Sequence, residues 1–578
     1  MSNRLLQPCL FTPLSLLPPV LRWLSAAALV CAAGVSTAQA QTPPNAGSIL
    51  RQTEQELQRQ TPPAMRQRRE APPAPMLKLG EAIVTVNSFQ FDGNTLLSAA
   101  QLSEAVAPYL ARPLGFAQLQ QAADAVANTY REAGWIVRAF LPKQDISNGV
   151  VTVHIIEAVF GQASVISAEP PRVDAERLIG LINTQQAKGQ PLSAVNLDRA
   201  LLLLDDLPGV SVAGNLVQGQ EHGETDVGLT VTNEPWLTGS AASDNSGSLS
   251  TGQERLSANF ALNSPLGLGD LFTLNLLKTQ GSDYQRLAYS LPVGYDGARA
   301  GVHASHLNYN VVGTNAYMGL QGQADNAGLD ASFPVVRSQV QNLSLTGSAD
   351  VKRFSNTALA APTSRYRIHV VNLGLSGTQF DTWGGGGANA ASVNVLQGSL
   401  HPDNAEPVPS QNNALLTGRY SKLNLNLSRQ QAINTDLSVF MAASWQAASK
   451  NLDPSEKLYL GGAGGVRAYP SNEAGGSEGR TLTTELRQRL GDRLTLTGFH
   501  DYGWVKLNRN PVSAAPAVGN YNLQGYGLSL AWQGPSGIDL KGTVAKRMGT
   551  NPAANAAGLD SDGTLKTHRV WLNALVSF

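Results

Sequence analysis

The chain has 578 residues, enough for several domains, and its formal net charge is zero, so the composition gives no sign of a polyanionic partner such as nucleic acid. Charged residues make up only 15% of the sequence, well below the roughly 25% of soluble proteins, while apolar residues reach an ordinary 42%. The 56 glycines, without an excess of apolar residues, favour an alternating β-barrel over a helical membrane protein.

Residues 1–40 have the pattern of a cleaved signal peptide. Basic residues precede an apolar run that is shorter than the roughly 20 residues a membrane-spanning helix needs. The small residues Ala38 and Ala40 follow it, and we predict cleavage after Ala40. Both cysteines, Cys9 and Cys31, fall within this segment, so we expect a mature chain without disulfides or a cysteine metal site.

Residues 41–60 contain a short, glutamine-rich segment with helical spacing. Ile49, Leu50 and Leu57 fall near one face, but most of the other side chains are polar or charged. So polar a helix is not expected to be stable alone, and two interpretations stay open: a disordered N-terminus, or a helix sheltered in a polar cavity. Residues 61–82 follow as a proline- and arginine-rich linker of the extended, semi-rigid type.

Residues 83–158 are predicted to form a compact module with the order β-α-α-β-β. Ser98 is a suitable N-cap for its first helix, and Gly134 suits the left-handed residue that ends its second helix. The predicted elements are strands at 83–86 and 89–91, helices at 98–110 and from Gly115 to Gly134, and strands at 135–140 and 150–156.

Residues 159–234 repeat that order, which predicts a second module of the same kind. The predicted elements are a strand around Val165, helices at 174–182 and 194–207, and strands at 210–217 and 226–232. Each module has enough apolar residues for its own small core, so we predict two domains in tandem.

Residues 235–578 alternate between polar and apolar side chains over long segments. Arg255 to Asn263, Lys422 to Arg429, Tyr526 to Trp532 and Val570 to Phe578 all follow this pattern. Strands with one apolar and one polar face predict an antiparallel barrel with lipid outside and water inside. At about ten residues per strand plus turns, the region allows on the order of 16 strands.

A glycine-rich loop and a strand motif stand out within this region. Phe499, Asp501 and Gly503 are two residues apart, so on a strand they share one face. A carboxylate on the polar face of a membrane strand needs a nearby cation, and Arg467 in the loop at 461–470 is the candidate. We therefore predict a loop folded back into the barrel and held there by an Arg467–Asp501 ion pair.

The sequence offers no case for catalysis. The segment 475–479 matches G-x-S-x-G, but it lacks the helical pattern that must follow the serine of a nucleophile elbow. The glycines at 461–465 and 384–387 lack the Lys-Ser/Thr of a phosphate-binding loop, and the histidines show no metal-ligand spacing. We expect no enzyme activity, no cofactor, no metal and no nucleotide.

The chain resembles the TpsB family, the outer-membrane transporters of two-partner secretion of the ShlB/FhaC/HecB type. The loop residues Val466, Arg467, Ala468 and Tyr469 are similar to the family's Val-Arg-Gly-Tyr motif. The segment 499–503 is similar to its Phe-x-Asp-x-Gly motif, and 244–247, 263–270 and 207–210 are similar to further family segments. Two departures are Ala468 in place of glycine, and Glu157-Ala158 where the first module is usually closed by Glu-Gly.

The resemblance implies a plug helix at 41–60, a linker at 61–82, periplasmic POTRA domains at 83–158 and 159–234, and a sixteen-stranded transmembrane barrel at 235–578. It implies a translocator that binds an unfolded TpsA-type exoprotein through its POTRA domains and secretes it through the barrel, without nucleotide or nucleic acid. It also implies that the barrel contacts outer-membrane lipid, and that the terminal aromatic Phe578 is the signal by which the barrel-assembly machinery inserts the chain.

Two other functions stay open at this stage. A diffusion porin also has a signal peptide and a polar lumen, but it does not explain residues 83–234. A barrel-assembly factor has similar parts, although that branch usually carries more modules. The two modules favour export, because a free sheet edge binds an extended chain by adding it as a strand, largely regardless of its sequence.

Overall fold

The computed structural model describes residues 45–59, 84–146, 148–167, 169–221, 223–403, 413–510, 519–554 and 557–578. The predicted signal peptide, with Ala38 and Ala40, and the predicted linker lie outside these residues. Within the described part of the chain, no helix combines the length and the apolar character needed to cross a membrane.

Helices and strands both contribute to the modules, whereas the described part of the C-terminal region consists mainly of strands. The helices are α1 (Ala46–Arg59), α2 (Ala99–Val106), α3 (Phe116–Glu132), α4 (Ala175–Gln185), α5 (Ala194–Asp205) and α6 (Asn413–Leu416). The strands of the modules are β1 (Val84–Thr85), β2 (Ser88–Asp92), β3 (Pro113–Leu114), β4 (Val137–Phe140), β5 (Val150–Glu157), β6 (Val159–Val165), β7 (Val210–Gln218) and β8 (Glu224–Asn233).

Sixteen further strands, β9 to β24, follow. Their bounds are β9 (Leu237–Asp244), β10 (Arg255–Asn263), β11 (Leu271–Lys278), β12 (Ser282–Val293), β13 (Ala298–Asn310), β14 (Leu320–Arg337), β15 (Gln341–Ala358), β16 (Ala361–Asp381), β17 (Gly387–Pro402), β18 (Gly418–Ala432), β19 (Leu437–Ala448), β20 (Glu478–Leu490), β21 (Leu494–Lys506), β22 (Asn520–Gln533), β23 (Ile538–Met548) and β24 (His568–Ser577).

The first module packs α2 and α3 against the sheet β2-β5-β4, in which β2 and β5 are parallel. Ser98 caps α2 by accepting a hydrogen bond from the Gln101 amide, and Gly134 ends α3 with φ +88°. The α2 helix stops at Val106, short of the predicted boundary at 110, because Pro108 lies in a 3-10 turn at 107–109.

Glu157, at the end of β5, ties the start of α2 to the sheet. Its carboxylate accepts hydrogen bonds from the amides of Thr95 and Leu96 and from the Tyr130 hydroxyl, each 2.8 Å long. Burial opposes its ionisation, but these hydrogen bonds outweigh that effect and lower the pKa of Glu157. Burial, with the neighbouring carboxylate, raises the pKa of Tyr130.

The second module packs α4 and α5 against the sheet β6-β8-β7. Asp174 and Ser193 cap the two helices, and Leu178, Ile182 and Leu204 fill the core beneath them. The modules are joined by backbone pairing, since the Leu192 amide donates to the Ala158 carbonyl at 2.7 Å and the Ile136 amide donates to the Leu192 carbonyl at 3.0 Å.

Strands β9 to β24 form one closed antiparallel barrel, which confirms the predicted fold. As the alternation predicts, apolar side chains face outward and polar ones face the lumen: Leu256 is 60% exposed on the outer face, while its neighbour Ser257 is buried in the lumen. Pairing of β24 with β9, from Asn573 with Asp244 to Ser577 with Ser240, closes the ring.

The second module docks against the turns at one end of the barrel. Arg337, at the end of β14, donates two hydrogen bonds to Asp206, at 2.7 and 2.8 Å. Arg177 and Arg199 donate to the carbonyls of Pro292 and Pro334. These contacts identify the end of the barrel that faces the modules, which the resemblance implies is the periplasmic end, with the opposite end of each strand extracellular.

Candidate functional site

The segment between β19 and β20, residues 449–477, folds back into the lumen as an inward loop. Within it, bridges pair Leu458 with Gly476 and Gly461 with Val466. The backbone comes so close to itself that a Cβ at Gly461 would lie 2.2 Å from the Pro470 carbonyl oxygen. Glycine is therefore required at this position for the loop to close on itself.

The structure brings Arg467 of the inward loop to Asp501 of β21. Arg467 Nε and Nη2 donate to the two carboxylate oxygens of Asp501 at 2.8 Å each, and the Arg467 amide donates to the same group at 3.1 Å. Arg467 Nη1 also donates to Glu485 of β20 at 2.8 Å. The Arg467 and Asp501 side chains are only 7% and 1% exposed, so the pair is shielded from solvent.

The other two residues of the strand motif also contact the loop. The Arg467 guanidinium lies over the Phe499 ring, 3.5 Å from its centroid. A Cβ at Gly503 would lie 3.0 and 3.1 Å from side-chain atoms of Leu460 and Val466. The strand motif thus contacts the loop in three ways. Phe499 stacks on the guanidinium, Asp501 binds it, and Gly503 leaves room for the loop side chains.

Val466, Ala468 and Tyr469 are fully or almost fully buried in a cluster against the barrel wall. A Cβ at Gly525 of β22 would lie 2.5 Å from the Ala468 methyl group. The alanine in place of the family's glycine is accommodated because the facing residue has no side chain. Arg547 stacks on Tyr469, 4.8 Å from the ring centroid.

Sequence reasoning missed two partners of Arg467. One is Glu485 of β20. The alternation of this strand predicts that Glu485 faces the lumen, but it does not predict the residue's position along the barrel axis. The other is Trp571 of β24, whose indole Nε1 donates to the Arg467 carbonyl at 2.8 Å. No sequence signal links these residues, because the cross-lumen neighbours of a strand residue depend on the stagger of the barrel.

A second ionic anchor holds the start of the inward loop and was also missed. Glu456, which is 1% exposed, accepts hydrogen bonds from Lys352 of β15 at 3.0 Å and from Lys422 of β18 at 2.5 Å. The two lysines lie on lumen-facing positions of different strands, so the carboxylate links the loop to two parts of the wall. The alternation of the two strands places both lysines on the inward face, but it does not indicate which carboxylate they contact.

Helix α1 lies inside the barrel against this part of the loop. Its residues Ile49 and Leu50 are buried among lumen side chains, and the Ala46 amide donates to Asn356 Oδ1 of β15 at 3.0 Å. A Cβ at Gly47 would lie 3.0 Å from the Ser455 amide nitrogen, so the helix and the loop are in direct contact there. Of the two interpretations left open, the sheltered helix describes this arrangement.

A cavity of about 2000 Å³ lies between the second module and the inward loop. Asp206 and Leu207 line it on the side of the module, and Ala463, Gly465 and Arg467 line it on the side of the loop. The entrance vestibule, as we call this cavity, therefore leads from the docked module to the tip of the loop.

Phe578 lies at the seam of the barrel. The Phe578 amide donates to the Gly239 carbonyl at 3.0 Å, and the Gly239 amide donates to the Phe578 carbonyl at 2.9 Å. The ring is 60% exposed on the outer face, with its centroid 6.2 Å from that of Phe260. The last residue thus extends the pairing of β24 with β9.

The G-x-S-x-G segment does not form a nucleophile elbow. Ser477 is buried, accepts a hydrogen bond from the Leu452 amide and donates to the Leu507 carbonyl, and a strand follows it directly. The residues that the structure describes contain no group of three or more His, Cys, Asp or Glu side chains arranged to hold a metal ion.

Comparison with known proteins gives two family matches. The model of the haemolysin secretion/activation protein ShlB/FhaC/HecB matches residues 223–530, and the model of the ShlB-type POTRA domain matches residues 84–158.

Individual relatives and a solved structure cover most of the chain. The heme/hemopexin transporter protein HuxB of Haemophilus influenzae (strain 86-028NP) is 25% identical over 491 residues, which are 83% of this chain and 84% of the relative. The outer membrane transporter CdiB of Escherichia coli is 26% identical over 494 residues, 82% of each chain. The structure of CdiB from Escherichia coli superposes with a TM-score of 0.66 at 22% identity, covering 93% of this chain and 100% of that one.

Proposed function

The chain belongs to the ShlB/FhaC/HecB family of haemolysin secretion and activation proteins, and on this premise we propose that its lumen is closed at rest by the inward loop and α1. The protein is a TpsB transporter of the outer membrane, with POTRA domains in the periplasm, and it secretes an exoprotein through its barrel. The single observation that supports closure is the buried Arg467–Asp501 pair inside a closed barrel.

The path of the exoprotein begins at the POTRA domains. Among the described strands, β7 is an edge of its sheet and pairs with β8 alone, and its exposed residues include Leu216 and Val217. An extended chain adds to such an edge through main-chain hydrogen bonds, which suits an unfolded cargo of any sequence. The entrance vestibule then leads from the second POTRA domain to the tip of the inward loop.

Passage requires the loop and the helix to leave the lumen. Asp501 and Glu485 hold the tip of the loop through Arg467, and Lys352 and Lys422 hold its start through Glu456. Because no nucleotide-binding motif is present in the sequence, folding of the exoprotein outside the cell supplies the free energy for export.

Two further roles belong to the outside of the barrel. Phe578 is the signal that the barrel-assembly machinery reads during insertion, and its exposed ring at the seam is suited to that recognition. The outward apolar side chains, such as Leu256, contact the lipid.

Deletion of residues 84–157 tests the use of the POTRA domains. The exoprotein should no longer bind the purified transporter, and secretion by cells that express both proteins should stop. Full export by the deletion variant would instead favour a porin-like pore, which has no use for these domains.

Deletion of residues 45–59 tests whether α1 helps to close the lumen. The deletion should raise the conductance of the barrel in planar bilayers, and an unchanged conductance would contradict a plug.

A further inference from the structure

The outer face of the barrel carries a cluster of basic side chains near the extracellular ends of β15 to β18. Six exposed residues form this basic patch: Arg353, Arg365, Arg367, His369, His401 and Arg419. They point away from the lumen because the residues alternating with them, including Lys352, Phe354 and Ile368, are the buried inward ones.

The strand register places basic side chains directly opposite one another. Arg353 of β15 pairs with Arg367 of β16, and Arg367 pairs in turn with His401 of β17. Side chains in such pairs have Cβ atoms about 4.5–5.5 Å apart, and like charges at this position are destabilising. Two arginines held together in this way need an anion.

The described residues supply few anions to the basic patch. Asp403 pairs with Arg367 at 3.2 Å. Asp325 of β14 lies directly opposite Arg353 in the strand register, but its carboxylate contacts His306 Nδ1 at 2.6 Å. Among the described residues, no carboxylate reaches ion-pairing distance of Arg353, Arg365 or Arg419. By contrast, the outward Lys278 at the end of β11 has a partner, since it pairs with Asp283 at 2.6 Å.

The basic patch lies at the edge of the lipid-facing surface. On β14 the outward residues from Ala327 to Val335 are apolar, and they include Leu329, which is 61% exposed. This stretch covers roughly 27 Å along the strand and about 20 Å along the barrel axis, close to the roughly 25 Å apolar band of such barrels. Ala327 pairs with Val351, the outward position directly before Arg353, so the patch begins where the hydrocarbon ends.

We propose that the basic patch binds the phosphate groups of a phosphorylated lipid headgroup in the outer leaflet. Paired guanidinium groups bind phosphate oxygens through two parallel hydrogen bonds each, and an anion between Arg353 and Arg367 removes their mutual repulsion. The apolar wall directly below, including Val371 and Leu373 of β16, accommodates the acyl chains of the same molecule. A lipid can contact both the basic patch and the apolar wall, whereas free phosphate can contact only the basic patch.

Native mass spectrometry of the full chain in detergent, titrated with bis-phosphorylated lipid A, tests this proposal. The variant Arg353→Gln/Arg367→Gln should bind lipid A at least tenfold more weakly than the wild type. The matched control Lys278→Gln/Arg480→Gln removes two outward cations from other strands and should change binding less than twofold. Dephosphorylated lipid A should bind the wild type as weakly as lipid A binds the first variant.

Three results would overturn the proposal: unchanged binding by the first variant, an equal loss in the control, or equal binding of the dephosphorylated lipid. Inorganic phosphate that blocked lipid A at equal concentration would also refute a lipid site, since it would show a simple anion site. Heat-modifiable migration checks that each barrel is folded. If the double variant does not fold, the single variant Arg353→Gln should still lose at least threefold, and full retention would refute the assignment.

Discussion

Substitution of Arg467 tests the ionic lock of the inward loop most directly. Arg467→Ala removes three side-chain hydrogen bonds and leaves Asp501 buried without its cation, whereas Glu485 keeps its ion pair with Arg487. Removing one partner of a buried pair costs roughly 3–5 kcal/mol. Such a change shifts the equilibrium between the inward and the released loop by a factor on the order of a hundred to several thousand.

Arg467→Lys separates charge from geometry. One ammonium group cannot bind both oxygens of Asp501, reach Glu485 and lie flat over Phe499 at the same time. We expect a loss of roughly 1.5–3 kcal/mol, the scale of one charged hydrogen bond, and therefore an intermediate phenotype.

The assay uses a single thiol, because both native cysteines fall in the predicted signal peptide. Ser471→Cys places it at a buried position of the loop, where Ser471 now donates to the Ser246 carbonyl. A membrane-impermeant maleimide on intact cells should label the Arg467→Ala background at least tenfold faster than the wild-type background, with Arg467→Lys between them. Secretion should fall in the same order while the barrel stays heat-modifiable. Equal labelling rates together with normal secretion would refute the lock.

Three further predictions concern other contacts. Gly525→Ala should reduce secretion because its methyl group would meet that of Ala468, and adding Ala468→Gly should restore secretion; a double variant as defective as the single one would contradict this packing argument. Gly47→Val should raise bilayer conductance by displacing α1 from Ser455, and wild-type conductance would argue against that contact. The lowered pKa of Glu157 means that its stabilisation is complete above the ordinary glutamate value of 4.5 and is lost as the pH falls through the lower folded-state value. Hydrogen exchange of the Leu96 amide should therefore be faster in Glu157→Gln than in wild type at pH 7, with the difference vanishing in acid; a difference that persisted in acid would contradict the sign.

Much of the fold follows from patterns that are local in the sequence. Alternation predicts the barrel, because each strand must present one face to lipid and one to water. Capping residues and glycines predict the helices of the modules to within a few residues. Where the boundaries differ, as at Val106, a nearby proline or turn competes with the helical pattern.

The candidate site was predicted only in part. The pairing of Arg467 with Asp501 could be predicted from the sequence, because a carboxylate on a lumen face requires a cation and the glycine-rich loop contains one arginine. The ion pairs of Glu456 with Lys352 and Lys422 could not be predicted from the sequence, since the two lysines lie on different strands and far from Glu456 in the chain.

The sequence by itself determined which residues face the lumen, how many strands the barrel can hold and which loop is flexible enough to turn inward. Only the tertiary structure decided which side chains meet across the lumen, that Gly525 leaves room for Ala468, and that Arg353 lies opposite Arg367. The physical reason is that a two-residue period assigns a side chain to a face, whereas its height and its neighbours depend on strand stagger and barrel closure, which are properties of the whole ring.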